Sequence, residues 1–229
     1  MAECTYDQYC PLACSLDLLG ERWTMLILRD LIPGPKRYTD LRNELDGIPS
    51  DLLTSRLRKL EAAGVLGRRR LPHPAAATVY ELTERGRELK PALLSLARFG
   101  VGLLGAEVRP EAAPSLERLE LLLSVLFDPA AAAGQVRSVG LSSGEEDDWL
   151  WISFGEGGFA VGQDRAEAPS EIEATADAAP GTLYDLLLGR LDSGEETAAG
   201  NLDVEGDHEA LRAILAAFPG PAAMAAAVS

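Results

Sequence analysis

One run constrains this chain more than any other: Ser50-Asp51-Leu52-Leu53-Thr54-Ser55-Arg56-Leu57-Arg58-Lys59-Leu60. Leu53, Leu57 and Leu60 recur at i, i+4 and i+7, so on a helix they share one face. Leu52 widens that face. Asp51, Thr54, Ser55, Arg58 and, further round, Lys59 fall on the opposite side. Pro49 stops the preceding segment, and Ser50 can cap the new helix by accepting from an orphan backbone N–H. Gly64 ends it after Ala62-Ala63. The result is a short helix with one oily face and one face of hydroxyls and cations.

The flanks give that helix a setting. Tyr38 to Leu45 reads as another short helix, with Leu41 and Leu45 one turn apart. Asp46-Gly47-Ile48-Pro49 is the turn between them. Two short helices across a tight glycine-containing turn fit a helix-turn-helix, whose second helix enters the DNA major groove. Downstream, Val65 to Leu71 reads as an arginine-rich strand and Thr78 to Leu82 as its return, around the loop Pro72 to Ala77. That hairpin forms a wing, with Arg68, Arg69 and Arg70 along it.

The ordered set Cys10-Pro11, Leu19-Gly20-Glu21-Arg22-Trp23-Thr24, Arg37-Tyr38-Thr39-Asp40-Leu41, Leu53 to Glu61 and Tyr80-Glu81-Leu82-Thr83-Glu84-Arg85-Gly86 resembles the HxlR-type winged helix-turn-helix regulators over roughly residues 8 to 100. Tyr38 stands where a phenylalanine is usual in that family, and Phe99-Gly100 where Trp-Gly is common. The resemblance implies a transcriptional regulator, expected to repress, that binds double-stranded DNA as a homodimer on a near-palindromic operator. Terminal helices would pair the subunits and set two recognition helices one turn of DNA apart.

Charge distribution agrees with a nucleic-acid partner only locally. The chain of 229 residues carries a net −15. Residues 1–100 hold 15 Lys+Arg against 13 Asp+Glu, whereas residues 101–229 hold 6 against 23. Within 36–70 there are 9 basic and 5 acidic residues, and it is the local footprint that meets phosphate. No secretory signal and no long apolar run is visible, so a cytoplasmic location and no membrane partner are expected.

Cys4, Cys10 and Cys14 have irregular spacing and no neighbouring histidine, so they make poor zinc ligands, and a disulfide framework is not expected in the cytoplasm. Cys10 and Cys14 read as small core residues of the first helix, Pro11 to Leu19, where Leu12, Leu16 and Leu19 align. In the resembled family some members sense oxidants through an N-terminal cysteine, which would assign that role to Cys10. Trp23 to Leu31 is a second helix. A long helix from about Arg87 to Leu104, with Leu89, Leu93, Leu96 and Leu103, needs an apolar partner.

Arg109 to Pro114 reads as a linker, and Leu116 to Phe127 as an apolar helix. From Gln135 the period changes to two. Strands are expected at Val136–Leu141, Trp149–Phe154, Phe159–Gln163, Ile172–Asp177 and Asn201–Glu205. Helices are expected at Gly181–Leu188 and Asp207–Phe218. Trp149, Trp151 and Ser153 alternate with Leu150, Ile152 and Phe154. Such a strand is covered on both faces, or on one face with a ligand cavity on the other.

The pieces Ile172 to Ala176, Leu183 to Leu191 and Gly200-Asn201-Leu202-Asp203-Val204-Glu205-Gly206-Asp207 resemble the sterol-carrier-protein-like fold over about 115 to 220. That resemblance implies a five-stranded sheet with packed helices around an apolar cavity. Trp149, Trp151, Phe154, Phe159, Leu183, Tyr184 and Leu187 are the pocket candidates, or equally a filled core.

The sequence therefore predicts an α+β chain. A winged helix-turn-helix DNA-binding and dimerisation domain spans 1–106, and a small α+β domain with a five-stranded sheet spans 115–220. Residues 221–229 form a flexible tail. Nothing resembles a catalytic set, a metal cluster or a cofactor loop. Thr54, Ser55 and Arg58 are expected to reach base edges, and Ser50 and Lys59 phosphate or base. Arg37, Tyr38 and Thr39 would hold the DNA backbone, and Arg68, Arg69 and Arg70 the adjacent minor groove or phosphates. An apolar small molecule in the C-terminal domain would control binding. The alternatives are a carrier of apolar ligands with a non-functional DNA-binding domain, and a thiol regulator acting through Cys10.

Overall fold

A computed structural model describes residues 6–72, 77–101, 103, 116–144, 149–155 and 158–220. The expected linker at 109–114, both domain limits at 106 and 115, the wing-loop tip 73–76, the acidic stretch 145–148, the hairpin turn 156–157 and the tail 221–229 lie outside them. The chain divides into two compact units, Met1–Leu93 and Leu94–Ser229.

The first unit contains α1 (Pro11–Leu19), α2 (Thr24–Leu31), β1 (Lys36–Arg37), α3 (Tyr38–Glu44), α4 (Ser50–Ala62), β2 (Leu66–Arg70), β3 (Thr78–Leu82) and α5 (Glu84–Arg87). It also holds the start of α6 (Lys90–Val101). Leu53, Leu57 and Leu60 are buried as their spacing requires, against Ile27, Leu28 and Leu41. Each such side chain contributes about 1.5–3 kcal/mol of burial.

Gly47 takes φ +81° in the turn between α3 and α4, a conformation that costs glycine nothing. At the other end of α4, Gly64 takes φ +70°. There Gly64 N–H donates to Glu61 O (2.9 Å) and Val65 N–H to Leu60 O (3.0 Å), the paired bonds of a Schellman cap. The chain leaves this cap directly into β2.

β2 and β3 form the expected antiparallel hairpin, and β1 adds a third strand on the far side of β3, in the order β1-β3-β2. β1 was not expected from sequence. Its Lys36 is buried and pairs with Glu44 at 2.6 Å.

Three expectations in this unit are corrected. Ser50 is the first helical residue and Pro49 occupies the cap position, so the Ser50 hydroxyl makes no cap. The long helix expected from about Arg87 is α6, and it starts later, at Lys90, after the short α5 ends at Arg87. On α1 only Ala13 is buried, while Leu12 and Leu16 are 67% and 42% exposed. The Leu12 and Leu16 part of its apolar stripe therefore faces outward, while Leu19 packs against the core.

The second unit contains α7 (Leu116–Leu126), β4 (Arg137–Ser142), β5 (Trp149–Gly155), β6 (Gly158–Gly162), β7 (Ala174–Asp177), α8 (Pro180–Leu187), α9 (Ser193–Ala199), β8 (Asp203–Gly206) and α10 (His208–Ala216). The five strands run β6-β5-β4-β7-β8. β4 and β7 are parallel, and the other pairs are antiparallel. The mixed α+β class and the five strands agree with the sequence reading. α9 was not expected. Its start is fixed by Asp192, whose carboxylate accepts from Gly194 N–H (2.8 Å) and Glu195 N–H (3.0 Å).

One face of β5 is covered by helices; the other is covered over its two indoles, while Ser153 further along it lines a hollow of about 610 Å3 with Ser138, Ala160 and Glu171. Leu150, Ile152 and Phe154 join the helix-covered core with Val139, Leu183 and Ile214. On the other face the two indoles lie against glycines. A Cβ on Gly140 would meet the Trp149 ring at 1.9 Å, and one on Gly162 would meet the Trp151 ring at 2.8 Å. The crossover between β6 and β7 folds over them. Trp151 Nε1 donates to Asp164 O (3.1 Å), the Arg165 guanidinium sits 4.3 Å from the Trp149 ring centre, and Ser138 Oγ donates to Glu171 O (2.5 Å).

Candidate nucleic-acid interface

The polar face of α4 and the start of α3 form one surface. Tyr38, Ser50, Asp51, Thr54, Ser55 and Arg58 line a shallow hollow of about 440 Å3. Tyr38 OH donates to Ser50 O (2.9 Å), and Thr54 Oγ1 donates to the same carbonyl (2.8 Å). The Tyr38 and Thr54 hydroxyls stand 3.4 Å apart. α3 thus pins the first turn of α4 through a phenol that phenylalanine lacks. Arg37 N–H donates to Asp40 Oδ2 (2.9 Å), which fixes the start of α3, and Thr39 is exposed beside it.

The cations of this unit divide into engaged and available ones. Arg58 is exposed and, among the described residues, makes no ion pair or side-chain hydrogen bond; the same holds for Arg70. Lys59 is held elsewhere. Its Nζ donates to Asp17 O (2.7 Å) and to the carboxylate of Glu21. Glu21 also pairs with Arg56. The Lys59 hydrogen bond, together with the charges of Arg56 and Lys59, holds the Glu21 carboxyl below the usual carboxylate range, with partial burial opposing.

The three wing arginines do not act as one row. Strand alternation puts Arg68 and Arg70 on the face of Leu66 and Leu82, and Arg69 on the other. Arg68 pairs with Glu61 (2.8 Å) and lies 5.2 Å over the Tyr80 ring, and Arg69 pairs with Glu81 (3.0 Å).

The structure brings together Tyr38, Ser50, Thr54, Ser55 and Arg58, and it leaves Lys59, Arg68 and Arg69 in ion pairs. Sequence reasoning missed two participants. Asp51 lines the hollow, although its place on the polar face was visible. Glu21 organises Arg56 and Lys59, and its only sequence signal was its position in Gly20-Glu21-Arg22-Trp23.

The remaining candidates separate similarly. Phe154, Phe159, Leu183, Tyr184 and Leu187 belong to the helix-covered core or pack against it, whereas Trp149 and Trp151 stand on the opposite sheet face. One face therefore does not hold all seven. Burial pushes the Tyr184 phenol up, with the Arg190 charge opposing. Phe127 stacks on Phe159 at 4.6 Å, and a cavity of about 270 Å3 lies beside Phe127, Ala132, Val136 and Phe154.

Cys14 is exposed and disulfide-bonded, which corrects both its expected core position and the expectation that no cysteine would be bridged. Cys10 is half-buried and free. Among the described residues no group of three or more His, Cys, Asp or Glu side chains is placed to hold a metal, and no helix is long and apolar enough to cross a membrane.

Two short helices joined by a tight turn, followed by a two-stranded wing, define a winged helix-turn-helix protein. Residues 18–107 match the HxlR-like helix-turn-helix family. The chain is 38% identical over 98 residues to the uncharacterized HTH-type transcriptional regulator sll1512 of Synechocystis sp., covering 43% of this chain and 73% of that protein. It is 36% identical over 91 residues to the uncharacterized HTH-type regulator YdeP of Bacillus subtilis, covering 40% of this chain and 71% of that one. Among solved structures, the reduced form of the redox regulator HypR aligns at 33% identity and a TM-score of 0.38, over 40% of this chain and 90% of that chain. The chain belongs to the HxlR-like helix-turn-helix family of transcriptional regulators.

Proposed function

We propose that this regulator is a homodimeric, sequence-specific repressor in the cytoplasm that places α4 in the major groove of a near-palindromic operator. The observation that carries the reading is the hollow where Tyr38, Ser50, Thr54, Ser55 and Arg58 meet, with Arg58 outside every ion pair among the described residues. A guanidinium available in this way can bond O6 and N7 of one guanine together, a contact that discriminates by about 1–3 kcal/mol. Arg70, Arg37 and Thr39 serve the phosphates, while Arg68 and Arg69 reach DNA only by leaving Glu61 and Glu81.

Dimerisation is supported by apolar side chains left in solvent. Tyr9, Leu12 and Leu16 stand out on or beside α1, and Leu96 and Phe99 on α6, each more than 40% exposed. The winged domain of residues 1–106 supplies DNA binding and pairing. The sterol-carrier-like domain of 115–220 takes an apolar effector, for which the cavity beside Phe127 and Phe154 offers a place.

The test is binding to DNA from upstream of the protein's own gene against scrambled DNA, at two salt concentrations. Wild type is expected to prefer the native sequence with a steep salt slope, about 0.9 per neutralised phosphate. Arg58→Ala is expected to lose most of the preference while keeping its scrambled-DNA affinity. Equal binding of both DNAs by reduced, ligand-free wild type, with lipid recovered from the purified protein, sinks this reading in favour of the carrier.

One observation favours thiol control as a second reading: Cys10 is a free cysteine, and with Asp7, Tyr9 and Cys14 it lines a hollow of about 590 Å3. Alkylation that leaves DNA binding unchanged excludes it.

A further inference from the structure

We propose that Asp51 reads a cytosine in the operator, about three base pairs from the guanine read by Arg58. The inference rests on the DNA-binding reading above and adds to it one base, one residue and a distance.

Asp51 is exposed in the first turn of α4 and lines the same hollow as Thr54, Ser55 and Arg58. Among the described residues its carboxylate makes no hydrogen bond or ion pair. Of three ordinary uses of an acid at this place, two are absent and the third does not select its face. It is no helix cap, because Pro49 holds that position and no backbone N–H of the turn donates to the carboxylate. It is no ion-pair partner of Arg58, because seven residues along a helix separate the two by about 10.5 Å. A favourable interaction with the helix dipole serves any first-turn position equally, and leaves open why this acid shares a face with Thr54, Ser55 and Arg58.

A carboxylate that faces DNA is repelled by phosphate and accepts hydrogen bonds only. In the major groove guanine offers O6 and N7 and thymine offers O4, all acceptors. Adenine offers its N6 donor beside the N7 acceptor. Cytosine offers the N4 amino group without an adjacent acceptor, so it is the base that a carboxylate selects. The residue therefore acts in two ways: it accepts from cytosine, and it repels guanine and thymine at the same position. The spacing follows from the helix. Asp51 and Arg58 lie on one face two turns apart, and about 10.5 Å spans roughly three steps of a duplex rising about 3.4 Å per base pair.

The chemistry also predicts a switch. An asparagine amide both accepts and donates, and so pairs with N6 and N7 of adenine. Asp51→Asn should then prefer A·T where wild type prefers C·G.

The experiment is selection of the full chain on a randomised duplex library, with wild type, Asp51→Ala, Asp51→Asn and Arg58→Ala. Wild type is expected to enrich cytosine at one position about three base pairs from a guanine whose enrichment Arg58→Ala abolishes. Asp51→Ala should lose that cytosine preference alone, a drop of roughly 5- to 150-fold, with its salt slope unchanged. Asp51→Asn should move the preference to adenine. Far-UV circular dichroism checks that the variants keep their helix content. If Asp51→Ala tightens binding to every sequence alike, or both variants keep the wild-type base preference, the assignment is overturned while DNA recognition stands. If wild type enriches no sequence at all, the DNA-binding reading itself falls and takes this inference with it.

Discussion

Replacing Glu21 by glutamine tests how the recognition helix is held. The Glu21 carboxylate ties α4 to the segment between α1 and α2 by accepting from Lys59 and Arg56. Lys59 and Glu21 are 43% and 37% exposed, so solvent screens their attraction, while Arg56 is only 15% exposed. Two such pairs contribute about 0.5–1.5 kcal/mol together. For a unit of this size that corresponds to a fall in Tm of about 2–12 °C.

The pH dependence has a definite sign. The folded pKa of Glu21 lies below its ordinary value, so its stabilisation is complete above the ordinary value and is lost as pH falls through the lowered one. Glu21→Gln should therefore flatten the acid limb of the stability curve and leave its shape near neutrality unchanged. It also frees Lys59 beside the proposed DNA face. Affinity for scrambled DNA should rise, and the salt slope should steepen by up to about 0.9 per protomer. Preference for the operator should fall, because α4 is less firmly placed. Thermal melts across pH and fluorescence anisotropy at four salt concentrations measure both effects. An unchanged acid limb together with an unchanged slope refutes the claim that Glu21 sequesters these cations.

Two further outcomes follow from packing. Gly140→Ala drives a methyl into the Trp149 ring, and the overpacking should cost about 1–3 kcal/mol, read as a lower urea midpoint with altered tryptophan fluorescence; wild-type stability and spectrum would mean that the indole does not lie on the sheet. The paired substitutions Leu12→Glu and Leu16→Glu put charge on an outward apolar face, so light scattering should report the mass of a monomer with unchanged helix content, and a persisting dimer excludes α1 from the subunit interface.

What the sequence revealed was mostly local. Leu53, Leu57 and Leu60 place a buried face by spacing alone, Gly64 marks a cap by its conformational freedom, and Thr78 to Leu82 returns as a strand between turn signals. These signals survive because the residues that carry them also form the element. α9 escaped because its polar, small residues show no apolar period, and only Asp192 marks where it starts. β1 escaped because two residues make no period. Its Lys36 looks like a surface cation until Glu44, eight residues on, is folded against it.

Partners delivered by the fold also separate the arginines and lysines of the proposed DNA face. By residue type, Arg58, Lys59, Arg68, Arg69 and Arg70 are alike in sequence. Their difference is made by acids that the fold delivers: Glu21 to Lys59 from 38 positions away, Glu81 to Arg69 from 12. A basic run thus overstates the charge available to phosphate, because each pairing must be broken before the cation can release a counterion. Asp51 presents the converse case. An acid in a basic helix looks like an electrostatic liability, yet with its carboxylate unpaired on the face of Arg58 it adds, in the reading proposed above, a second base preference to the one Arg58 supplies.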